Sequence, residues 1–159
     1  MSTTVEVIST HPFLAGLASP WLERLAAQGQ PVILQPGHRL FHEHERGDAF
    51  WLISAGEVTL DCTVPGGPPI PVDTAGAGTV IGWSWIFPPH QWDFGAVAAT
   101  CTSAVEFDAA GVRRAMEDDE ALGRELSTRF VRVVMDRLHD TRQHLPDLYR
   151  RRLETGAGG

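Results

Sequence analysis

Three histidines stand close together at His38, His42 and His44, and five large aromatics crowd the thirteen residues GWSWIFPPHQWDF, Gly82 to Phe94. These are the two places where residue type and spacing point to chemistry. Imidazoles at i and i+2 of a strand share a face, which is what a transition metal asks of its first two ligands. A further ligand must come from a distant strand, and the only other histidine before the C-terminal helices and downstream of residue 44 is His90. The expectation is therefore solvent-facing histidines, no metal site and no cofactor. The chain has no G-x-S-x-G, no phosphate-binding loop and no cysteine with an evident histidine partner, so no catalytic residues are assigned and the chain reads as non-enzymatic. Cys62 and Cys101 lie far apart in no ligand-like spacing and read as two buried thiols in a reducing cytoplasm.

The aromatic stretch carries more information. Trp83 and Trp85 share a face if that piece is extended, and Trp92 and Phe94 do the same. One reading is that the rings fill a pocket as a packed core. Another is that they line a pocket for a flat or apolar ligand, with Ser84 and Asp93 as its few polar groups. A third is an exposed aromatic patch for a protein partner. The candidate binding residues are Gly82, Trp83, Ser84, Trp85, Trp92, Asp93 and Phe94.

The elements that position these residues follow from periodicity. Ser19-Pro20 predicts a helix start, with a side-chain oxygen for free N–H groups and Pro at the first helical position. From Pro31 to Phe107 the period is two. PVILQ, HRLFHE, AFWLISA, EVTLDCTV, IPVDT, TVIG, WDFGAVAAT and TSAVEF read as eight short strands, separated by Gly- and Pro-rich turns. The fold class is α+β, mainly β: an eight-stranded antiparallel roll or jelly roll with short N-terminal helices and a long C-terminal helix. That helix runs from EDDEALGREL onward, with an apolar stripe that predicts a homodimer through Leu126, Phe130, Val133, Val134 and Leu138. The organisation is a tail over 1–11, one domain over 12–145 (roll 31–108, helices 109–145) and a tail over 146–159.

Charge narrows the partners. The 159 residues carry a formal net charge of −7, and every one of the 13 basic residues is Arg. Only three of them, Arg24, Arg39 and Arg46, precede residue 111, against eleven acids. That balance disfavours DNA. No run of about 18 apolar residues exists to cross a membrane. An unidentified small molecule and an unidentified protein remain as partners.

The segment GHRLFHEHERGDAFWLISAGEVTL resembles the first half of a cyclic nucleotide-binding domain of the catabolite-activator-like sensor type. The resemblance rests on Gly37, Gly47-Asp48 and Gly56-Glu57, and on GAGTVIG leading toward the phosphate-binding cassette. It implies a roll with a ligand site at Gly82–Phe94. In the family a Glu after the opening Gly accepts from the ribose 2′-hydroxyl, and an Arg about ten residues later pairs with the cyclic phosphate. Here Trp83 stands at the Glu position, and the Arg-Ser pair falls on Trp92-Asp93. No Arg lies between Gly47 and Val112. The resemblance thus implies a degenerate cassette that does not hold cyclic AMP in the usual way. The family's transcription factors follow the long helix with a helix-turn-helix domain. Only about fourteen residues follow Leu145, so the expectation is a sensor module without a DNA reader. The spacing from Gly37 through His42-x-His44 to Gly56 is also similar to the first metal motif of cupins, but no second cupin motif is present.

Overall fold

The computed structural model describes residues 3–42, 45, 47–82 and 94–136. Helix α1 (Thr4–Thr10) occupies the stretch expected as a tail. Thr3 and Glu6 close a capping box around its N-terminus, each satisfying a backbone N–H of the other. Helix α2 (Ser19–Ala26) has Pro20 in its first turn as expected. Its N-cap is Ala18, without a side-chain cap, so Ser19 lies inside the helix.

Eight strands follow: β1 (Gly29–Leu34), β2 (Arg39–Phe41), β3 (Ala49–Ala55), β4 (Val58–Cys62), β5 (Ile70–Ala75), β6 (Val80–Ile81), β7 (Gly95–Ala98) and β8 (Thr102–Asp108). They form two antiparallel sheets, ordered β1-β8-β3-β6 and β2-β7-β4-β5. The roll is as expected.

Alternation sorts the side chains. Phe41, Trp51, Ile53, Val58, Leu60, Ile81, Ala96 and Ala104 form one buried apolar cluster on the inner faces. The neighbouring residues of β3 and β8 point the other way. Phe50 stacks on Phe107 there, with ring centroids 4.8 Å apart, and Leu52 and Val105 are buried beside them. Helices α1 to α3 supply Ile8, Leu22, Leu25 and Val112 as further buried residues.

Gly56 makes the β3–β4 turn. Its φ is +94°, and a Cβ would come within 2.6 Å of the Cys101 carbonyl and 2.7 Å of Thr102 Cα. Only glycine fits both conditions. Thr102, fully buried, donates to the carbonyl of Glu57 and so ties this turn to the β7–β8 turn. The thiols differ from expectation: Cys62 is half-buried and Cys101 exposed, because Cys101 sits in the turn between β7 and β8.

After the roll comes α3 (Ala109–Asp118), and the long helix does not continue from it. Asp119 adopts φ −132°, ψ 100° and ends α3. Its Oδ1 accepts from the N–H groups of Ala121 and Leu122, capping a fourth helix, α4, that runs from 120 through 136. Its other oxygen accepts from the Trp21 indole at 3.0 Å. The two capping N–H groups, Leu122 first, and the indole hold this carboxyl below the usual carboxylate range.

Candidate functional site

The cassette expected to bind a ligand joins the two sheets: β6, which precedes it, belongs to the first and β7, which follows it, to the second. Of its seven candidate residues, Gly82 and Phe94 are described. Trp83, Ser84, Trp85, Trp92 and Asp93 lie outside the described residues.

Gly82 opens the cassette for a steric reason. Its φ is +85°, and a Cβ would lie 3.0 Å from the Ala49 carbonyl, 3.0 Å from the Trp51 ring and 3.1 Å from Phe50 Cα. The backbone therefore leaves β6 pressed onto β3. Trp51, 4% exposed, stacks on Phe41 with centroids 5.4 Å apart. These rings belong to one buried cluster with Ile81, Leu60 and Ala96. Neither ring was singled out from the sequence. The signal available was an aromatic on each of two inward-facing strand positions. At the far end, Phe94 is 41% exposed and Gly95 is buried at the start of β7.

A charged pair lies at this end as well. Leu60 pairs with Ala96 across β4 and β7 and Asp61 with Gly95, and the register of β4 against β5 shifts between Leu60 and Asp61. The Arg39 guanidinium reaches from β2 across Gly95 to Asp61 on β4. Nη2 donates to Oδ2 at 2.7 Å and Nη1 to Oδ1 at 3.1 Å, and Nη1 also donates to the Phe41 carbonyl at 3.4 Å. The side chains are 26% and 9% exposed. The Asp61 carboxylate, by hydrogen bond first, raises the guanidinium's already high pKa, so Arg39 stays charged. A Cβ on residue 95 would strike Asp61 and lie 2.7 Å from Arg39 Nη1. Gly95 is small because this ion pair passes over it. Arg39 is the one arginine among the described residues of the roll, and Asp61 engages it in a bidentate pair.

The other candidates are placed as follows. His38 and His42 are exposed, and β2 ends at Phe41, so His42 lies beyond the strand expected to carry it. His44 and His90 lie outside the described residues. Among the described residues no group of three His, Cys, Asp or Glu is placed to hold a metal ion. On α4, Leu126 and Phe130 are buried, Val133 and Val134 half-buried, and Val131 and Met135 exposed; Leu138 is outside the described residues. Among the described residues no helix is long and apolar enough to cross a membrane.

The family model for the cyclic nucleotide-binding domain matches residues 31–119. The chain is 29% identical over 143 residues to a CRP-like cAMP-activated global transcriptional regulator of Mycobacterium tuberculosis, covering 90% of this chain and 62% of that protein. It thus spans under two thirds of the curated relative's length. Among solved structures, a cyclic nucleotide-binding domain from Methylobacillus flagellatus superposes with a TM-score of 0.76 at 17% identity, over 91% of this chain and 82% of that one. The N-terminal domain of a transcriptional regulator from Streptomyces coelicolor gives 0.62 at 26% identity, over 85% and 94%.

Proposed function

The chain belongs to the cyclic nucleotide-binding domain family, and on that premise we propose that it is a regulatory binding domain that senses a flat, uncharged or apolar small molecule and acts through a protein partner. One observation carries this reading. Arg39, the one arginine among the described residues of the roll, is committed to Asp61, while a cluster of buried apolar side chains that includes Trp51 and Ile81 lies beside Gly82. Such a surface favours aromatic or aliphatic ligand atoms and leaves an anion unpaired. Trp83, Ser84, Trp85, Trp92, Asp93 and Phe94 are the proposed contacts. The protein is non-enzymatic and cytoplasmic in this reading, and its net charge of −7 argues against DNA as its target.

Trp51 and Phe41 favour a second reading, a plugged pocket that serves only as an interaction module, because they already fill the interior next to the cassette opening. Native mass spectrometry of gently purified protein separates the two. A stoichiometric small molecule lost on denaturation supports the sensor. Its consistent absence, together with blue-shifted and iodide-resistant emission from single-Trp variants retaining Trp83 or Trp92, supports the plug. Red-shifted, readily quenched emission from both variants overturns both readings in favour of an outward aromatic patch.

A homodimer through α4 is part of the proposal. Val131 and Met135 expose 49% and 56% of their surface beside the half-buried Val133 and Val134, an apolar patch that a second copy would cover. Light scattering at tens of micromolar is expected to give the dimer mass, and Val131→Asp with Met135→Asp the monomer mass. A monomeric parent protein removes this part of the reading.

A further inference from the structure

His11 closes α1 and is 5% exposed. Both ring nitrogens face backbone groups of fixed polarity. Nδ1 accepts from the Phe13 N–H at 3.1 Å, and Nε2 donates to the Ile53 carbonyl at 3.1 Å. An amide can only donate and a carbonyl can only accept, so the neutral ring with its proton on Nε2 satisfies both. The imidazolium satisfies only one, because Nδ1–H and the Phe13 N–H are then two donors aimed at each other.

The carbonyl that receives His11 also serves the roll. Ile53 accepts from Gly78 N–H at 2.8 Å, and its own N–H donates to the Thr79 carbonyl at 3.0 Å. The turn over 76–79 leads directly into β6 and then Gly82. The ring therefore plugs the end of α1 into the junction of β3 with the turn that feeds the cassette. A cavity of about 390 Å³ lies beside it, bordered by Glu6, Thr10, Ser54 and Gly78. Among the described residues the only charged group there is Glu6, from α1 itself, and its carboxylate is engaged by the Thr3 N–H at 3.1 Å. Neither β3 nor the 76–79 turn brings a charged group to the cavity wall.

We propose that His11 is an acid-operated latch, whose protonation frees α1 and the segment after it from strand β3 and from the turn that leads to the cassette. The inference stands apart from whatever the pocket holds. Burial, the largest influence, lowers the ring's pKa below its ordinary value near 6.5, against the raising effect of the backbone contacts with Ile53 and Thr79. The sign follows. The latch contributes its full stability above about pH 6.5, and that stability is lost as pH falls through the lowered pKa of the latched state. Each full unit of depression corresponds to about a tenfold change in the latch equilibrium.

The test is an NMR titration of the full chain from pH 8 to 5. It follows the His11 ring together with amide-exchange protection factors of Ile8, Leu14 and Gly78. The expected result is an Nε2–H tautomer at high pH, and loss of protection at those three amides with the same midpoint as the ring. His11→Gln, which keeps a donor and an acceptor but no titration, should hold its protection flat across the range. If that variant does not fold, the shared midpoint in the parent protein decides. Protection that persists through the ring's titration, or falls at a different pH, overturns the latch.

Discussion

Titrated with cyclic AMP or cyclic GMP in a calorimeter, the protein is expected to show no dissociation constant below about 10 μM, which would require roughly 7 kcal/mol of binding free energy. The expectation rests on the correspondence that the family resemblance implies, in which Trp83 stands for the Glu and Trp92 for the Arg. Losing a buried charge-assisted pair costs about 2–5 kcal/mol, or roughly 30-fold to several thousand-fold in affinity. Arg39 offers no substitute. It is bound to Asp61 by two hydrogen bonds. Drawing it inward would leave Asp61, 6% exposed, without its partner. A constant in the low micromolar range would mean that a cation reaches the phosphate by a route these residues do not show. The regulatory reading would then return to the cyclic nucleotide.

Removing that same arginine should unfold the protein more readily than any exposed substitution. Arg39→Leu leaves the Asp61 carboxylate buried and uncompensated, which costs about 3–5 kcal/mol. Arg39 is itself a quarter exposed, so solvent screening favours the lower end of that range. For a chain of this size the melting temperature should fall by roughly 6–20 °C. The double variant Arg39→Leu, Asp61→Leu should recover most of the loss, because replacing both members of a buried pair with apolar groups is often close to neutral. Urea unfolding of the four proteins in the cycle measures this directly. If the single substitution costs less than about 1 kcal/mol, or the double variant is simply the sum of the two singles, the pair is not the clasp that its geometry indicates.

Much of the architecture was legible without coordinates, because its signals are local. Gly and Pro turns punctuate residues 31–107 into eight strands, and turn chemistry depends on a few consecutive residues. Gly56 and Gly82 could be picked out as special, and both have positive φ. The apolar stripe of α4 was visible from its spacing. The start of α4 was not: the acid run EDDE reads as continuous helix, whereas Asp119 breaks it because its carboxylate caps the next helix and holds the Trp21 indole 98 residues away. Helix α1 was missed although its capping box was in plain view, since seven residues are too few for periodicity to register.

What the sequence by itself determined was therefore the roll, the glycines that shape it and the aromatic-rich composition of Gly82 to Phe94: each depends on residues adjacent in the chain. Tertiary structure alone decided which side chains meet. Register across β7 brings Arg39 over Gly95 to Asp61, 22 residues along the chain. The fold of α1 onto β3 sets His11 against a carbonyl 42 residues away. A lone histidine near the N-terminus and an arginine on a short strand carry no sign of those partners. The energy that gives them a role, a buried charge or a buried imidazole with fixed neighbours, exists only once the sheets have closed.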